Sequence, residues 1–207
     1  MMAQGHQAMG LAWGVAAVTF QSWLPLSLNS LPETLLFLAV VLIGALLPDI
    51  DSKHSKMGRY AYPIFAGVVA LIIIGSVWRP EILSVLTEQS TSFLLIGMGL
   101  ILLMLTSHRT WTHSLVFVVM VGVVLTMLQT SINISETLQY GFLIGVVSHI
   151  FGDFLTKQGV PLLYPISQKR FKFVVSFKTG SLVEQVVVIG LVGLSVWMLA
   201  SSVMPLN

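Results

Sequence analysis

The side chains in this sequence that could do chemistry are few, and they stand in small groups. Asp49-Ile50-Asp51 follows Pro48 in the run GALLPDIDSKHS. Two carboxylates two residues apart cannot share a helical face, but a turn or an extended backbone can present both to a cation. His108 and His113 close the run HRTWTH around Arg109, and they meet at one site only if the residues between them turn. Arg109 is always charged, and its planar fork suits bidentate contact with phosphate or carboxylate. Thr112 is placed to cap the helix that follows, because a hydroxyl accepts from free helical N–H groups. His149 and Asp153 are spaced i, i+4, which stacks them on one helical face. They could ligate one metal together, or Asp153 could orient His149. His6, at the start of the first apolar run, could complete the set or simply begin a helix. His54 lies in the loop SKHSK and reads as exposed.

Each group alone has a bland reading: a solvated Pro-Asp turn, interfacial histidines, a hydrogen-bonded pair inside a bundle. The sequence contains no cysteine, which removes thiolate ligands, disulfides and cysteine nucleophiles. It also lacks a P-loop, a G-x-G-x-x-G, an H-E-x-x-H and a G-x-S-x-G. What remains is an imidazole and carboxylate set. That donor set suits zinc, manganese or iron better than magnesium alone.

The elements that must position these groups follow from composition. Hydrophobic residues make up 56% of the 207, charged residues only 9%, and the mean hydropathy is +0.92. Soluble domains carry about 25% charged residues, so this chain cannot surround itself with a solvated surface. Its apolar runs are continuous and roughly 17–25 residues long, the length a helix needs to cross hydrocarbon. Backbone groups in lipid must bond within their own segment, which favours helix, and a barrel would alternate in short strands. We read an all-α polytopic membrane helix bundle, one domain over 1–207, with about seven spans near 6–24, 34–48, 61–79, 92–107, 113–130, 137–155 and 182–203. Met1 to Gly5 has no basic signal-peptide region, so the first run is taken as a retained span. The stretch 156–181 is a basic interfacial loop, either a small amphipathic hairpin around Lys169 to Lys178 or an interfacial helix.

An odd number of crossings sorts the charges. Lys53, Lys56, Arg59, Arg109, Lys157, Lys169, Arg170, Lys172 and Lys178 fall on one face, and Arg79 alone on the other, beside Glu33, Glu81, Glu88 and Glu136. Nine basic residues against one places the first face, with the N-terminus, in the cytoplasm. The same alternation puts all five histidines and all three aspartates on that face. Ionisable groups at membrane depth are expensive and usually carry function. The net charge of +2 carries no nucleic-acid signature.

These clusters, in this order, resemble the bacterial YdjM-like family of LexA-regulated inner-membrane proteins, regarded as metal-dependent hydrolases. The matching runs are His6 with Gly10, Gly44 to Asp51, His108-Arg109 with Thr112-His113-Ser114, and Ser148-His149 through Asp153-Phe-Leu-Thr156. Further matches are Gly159 and Leu162-Leu163-Tyr164-Pro165. Thr110-Trp111 departs from the pattern, where a small or glycine-containing turn is expected. The resemblance implies the metal ligands His6, Asp49, Asp51, His108, His113, His149 and Asp153. The H-x-x-x-D helix is also loosely similar to zinc-dependent phospholipases C and related nucleases.

The expectation is a membrane-embedded hydrolase at the cytoplasmic face of the inner membrane, using one or two divalent ions, zinc or manganese. Two ions about 3.5–4 Å apart would activate water and hold the leaving oxygen of a phosphoester. Asp51 could bridge them, and Asp49 or Asp153 could act as general base. Arg59, Arg109 and Lys157 would hold a substrate phosphate, which points to a phospholipid or polyprenyl-phosphate in the bilayer. The alternative is a cation or proton transporter or channel built on the same cluster. A third reading is an adaptor whose basic face binds anionic lipid heads. The oligomeric state is left open.

Overall fold

The computed structural model describes residues 1–51, 110–132 and 134–203. Among them every regular element is helical: α1 (Ala3–Thr19), α2 (Leu31–Gly44), α3 (Leu115–Ile132), α4 (Glu136–Phe154) and α5 (Leu182–Val203). Short 3₁₀ turns occupy Gln21–Trp23, Leu47–Asp51 and Trp111–His113. The expected spans at 61–79 and 92–107 lie outside the described residues, as do His54, Arg59, His108 and Arg109.

Helix ends follow local chemistry. Ser30 Oγ accepts the Glu33 N–H (3.4 Å) while Glu33 Oε2 accepts the Asn29 N–H (2.8 Å), so α2 opens on a reciprocal cap with Pro32 in its first turn. Ser135 Oγ does the same for α4 through the Leu138 N–H (3.4 Å). At α3 the cap is Ser114, whose Oγ accepts the Phe117 N–H at 3.2 Å. That corrects the expectation of Thr112 as the cap. The Thr112 hydroxyl is engaged with its neighbour's imidazole instead.

Two stretches, Leu31–Asp49 and Leu182–Ser201, are long and apolar enough to cross a membrane, and Leu115–Gln129 is a shorter apolar helix. The remaining helices, α1 and α4, carry the buried His6, His149 and Asp153. The α2–α4 crossing is close because glycines face each other there. A Cβ at Gly145 would lie 2.1 Å from the Val41 carbonyl oxygen, and one at Gly44 would lie 2.3 Å from that of Phe142. Small residues permit this backbone approach between membrane helices. Phe37 and Val41 fill the space between this crossing and Ala17 of α1. Phe117, Val146, Ile150 and Val160 tie α3 to α4 and to the segment beyond it.

That segment, residues 155–181, is neither an interfacial helix nor a local hairpin within Lys169 to Lys178. It is a strap that returns to pair with its own beginning. Val160 and Phe171 exchange both backbone hydrogen bonds (2.8 Å each), and the Lys157 N–H donates to the Phe177 carbonyl (2.9 Å). Gly159 makes the return possible. Its φ is +63°, and a Cβ there would meet the Phe171 carbonyl oxygen at 2.5 Å.

Candidate metal centre

Four described elements send a His or Asp to one point at the end of the bundle. His6 comes from the first turns of α1, and Asp49 from the 3₁₀ turn that terminates α2. His113 ends the 3₁₀ turn before α3, and His149 and Asp153 occupy successive turns of α4. The side chains of His6, His113, His149 and Asp153 are buried, while that of Asp49 is 20% exposed and marks the open side.

The donor atoms are close. His113 Nε2 lies 3.2 Å from His149 Nε2, 3.3 Å from Asp153 Oδ2 and 3.8 Å from Asp49 Oδ1. His149 Nε2 lies 3.6 Å from Asp49 Oδ1, and His6 Nε2 lies 3.3 Å from Asp153 Oδ1. A tetrahedral ion with bonds near 2.0–2.1 Å needs donors roughly 3.3–3.4 Å apart. These separations are of that size.

Hydrogen bonding fixes which atoms can ligate. The Ala45 carbonyl can only accept, so His149 Nδ1, 2.7 Å away, carries the proton. A neutral His149 then keeps its Nε2 lone pair facing Asp49 and His113. This backbone partner corrects the option of Asp153 orienting His149, since Asp153 turns to His6 and His113. Thr112 Oγ1 holds His113 Nδ1 at 2.9 Å in the same orienting position. The His6 ring stacks on His149 (centroids 3.6 Å apart, planes 6° from parallel). Neither of its buried nitrogens makes a hydrogen bond among the described residues. Asp153 is buried and Asp49 is largely so, which leaves negative charge that a cation would balance, and the Met1 ammonium already contacts Asp153. The donor types, the spacing and the forced tautomer all fit a divalent metal. Two sets, His6–Asp49–His149 and His113–His149–Asp153, gather donor atoms within 4.8 Å of one another.

The family signature described as YdjM inner membrane protein matches residues 1–206. The chain belongs to the YdjM family. It is 32% identical to YvsG of Bacillus subtilis over 149 residues, covering 72% of this chain and 69% of that protein. It is 37% identical to the inner membrane protein YdjM of Escherichia coli over 94 residues, 44% of this chain and 47% of the relative. The match to YdjM of Shigella flexneri has the same extent. No solved structure matches the chain.

In this YdjM-family chain, five of the seven expected ligands converge: His6, Asp49, His113, His149 and Asp153. The unusual Thr110-Trp111 does not displace His113, because Trp111–His113 is a 3₁₀ turn that delivers the ring into the cluster. The Asp51 backbone continues the turn after Asp49, and its side chain is outside the described part, as is His108. Among the expected phosphate ligands Lys157 is exposed on the strap, whereas Arg59 and Arg109 lie outside the described residues. Two participants were not read from the sequence. One is the Ala45 carbonyl, which leaves no side-chain signal. The other is Glu184, 3% exposed, whose carboxylate accepts the Met2 and Gly180 N–H groups (2.6 Å each) and so ties the start of α1 to the start of α5. Ser181-x-x-Glu184 is a capping-box pattern that could have pointed to it.

Proposed function

We propose that this protein is a metal-dependent hydrolase working at the cytoplasmic face of the inner membrane, within a bundle of about seven spans. The observation that carries this reading is the set of imidazole and carboxylate donors 3.2–3.8 Å apart around His113, with the His149 tautomer fixed by Ala45. His149 offers one free nitrogen and belongs to both donor groups, which supports a single ion among the described residues. A second ion would draw on Asp51 and His108. Imidazole and carboxylate donors together suit zinc or manganese.

A divalent ion held here supplies Lewis acidity for water and for a phosphoryl oxygen. The chain's own residues do the rest. Asp49 stands at the open side, so it is better placed than buried Asp153 to take a proton from water. Asp153 instead sets His6 and His113. Burial of His6, His113 and His149 keeps bulk water from the inner side of the cluster. Arg59, Arg109 and Lys157 remain the cations assigned to the substrate phosphate by charge and location. A phospholipid or polyprenyl phosphate presents that group at this depth.

Metal analysis of detergent-purified protein tests the site, with a hydrolysis screen on phospholipids and polyprenyl phosphates to follow. Unmodified protein should retain stoichiometric metal, and His149→Ala and Asp153→Ala should lose it together with any phosphoester turnover. Unchanged metal in both variants would remove the proposal. Metal-driven flux in proteoliposomes without turnover would turn the same cluster into a transport site.

A further inference from the structure

The strap exposes apolar and basic side chains together. Between α4 and α5 it carries Lys157, Lys169, Arg170, Lys172 and Lys178 and no acidic residue. All five cations are exposed. Interleaved with them, Val174 is 96% exposed, Ile166 89% and Val175 79%. Phe173 and Leu163 are also exposed. A loop facing only water has no reason to hold this many large apolar side chains outward. The pairing that holds the strap, between Val160 and Phe171, is made by backbone groups and does not require those side chains to face outward.

The place of the strap in the fold supplies the reason. α5, one of the two helices apolar enough to cross a membrane, begins at Leu182, four residues after Lys178. Its first turns expose Leu182, Val183 and Val186 as well. The apolar surface of the strap therefore lies next to the start of a lipid-facing helix. That is the depth at which acyl chains give way to headgroups.

We propose that the strap is a membrane-interface anchor for anionic phospholipid. Val174 and Val175 dip into the acyl boundary, and Lys169, Arg170, Lys172 and Lys178 hold phosphate headgroups of the same leaflet. Basic side chains beside a lipid surface attract anionic headgroups, and apolar neighbours add the inserted area. The inference rests on the membrane-spanning reading of α5 but not on catalysis. Its test reads lipid proximity, so failure of the hydrolase reading leaves it standing.

Because the chain has no cysteine, Val174→Cys gives a unique labelling site. The labelled, full-length protein is placed in nanodiscs of mixed phosphatidylcholine and phosphatidylglycerol and carries an environment-sensitive nitrobenzoxadiazole dye. The lipids are brominated one class at a time, and Val196→Cys in α5 serves as the lipid-embedded reference. The expected result is a blue-shifted emission quenched by both lipids, at least about twofold more by phosphatidylglycerol at equal bulk fraction. That preference should disappear in high salt, and also in a variant with Lys169, Arg170, Lys172 and Lys178 changed to Gln. The salt arm uses unaltered charges and holds even if the multiple variant folds poorly. Water-like emission with no quenching would overturn the proposal, as would equal quenching by both lipids at low salt.

Discussion

At His149 one hydrogen bond decides what the ring can do. The proton given to Ala45 leaves Nε2 as the donor atom, while the Thr112 hydroxyl, which can donate or accept, orients the His113 ring through Nδ1. Partners of this kind orient metal ligands, and their loss typically weakens metal binding about 10–100-fold. Thr112→Val keeps the side-chain volume while removing the hydroxyl. We expect a loss of metal affinity in that range by competition with a chelator, with the fold intact by circular dichroism. Unchanged affinity would mean that His113 is held by something other than Thr112. At this scale the sequence was informative where it placed costly polar groups in apolar surroundings. His6, Asp49, His113, His149 and Asp153 were visible for that reason. Ala45 was not, because a backbone carbonyl acts regardless of its side chain, and Glu184 was hidden because its partners, Met2 and Gly180, are distant in the chain or contribute only N–H groups.

At the scale of elements, the site depends on how closely α2 approaches α4, since Ala45 and Asp49 follow directly on the end of α2 while His149 and Asp153 belong to α4. A methyl at Gly145 would strike the Val41 carbonyl and the Ala45 nitrogen at 2.1 and 2.7 Å. Backbone cannot yield as a side-chain tip can. Gly145→Ala should therefore lower stability by about 1–3 kcal/mol and reduce bound metal, because the carbonyl that orients His149 belongs to Ala45, the residue that caps α2. Gly193 on α5 has nothing within 4 Å of an added Cβ, so Gly193→Ala should be neutral or slightly stabilising. Thermal unfolding and metal content of the two variants in one detergent provide the comparison. Equal behaviour would show that the crossing is not tight. Helix positions were legible from apolar runs, with the observed helices close to the expected 6–24, 34–48, 113–130, 137–155 and 182–203. The strap was not, because its pairings join residues 11 to 22 apart with no regular alternation. The Ser114 cap was also missed, since Thr112 and Ser114 are chemically equivalent candidates until the backbone is known.

For the whole molecule, the orientation proposed from the nine-to-one charge asymmetry separates the strap from the α1–α2 loop. The cysteine-free background lets single cysteines report it. A membrane-impermeant maleimide should label Asn29→Cys in intact cells and reach Gln168→Cys only after permeabilisation. The reverse pattern would invert the bundle and move the His/Asp cluster to the outer face. The central claim, however, is that the cluster is a metal centre, and X-ray absorption of the purified, metal-loaded protein tests it most directly. The account predicts a shell of nitrogen and oxygen near 2.0–2.2 Å, with no sulfur and with the outer-shell pattern of at least two imidazoles, diminished in His113→Ala. A protein that retains no metal after dialysis, or a shell without imidazole, would contradict it.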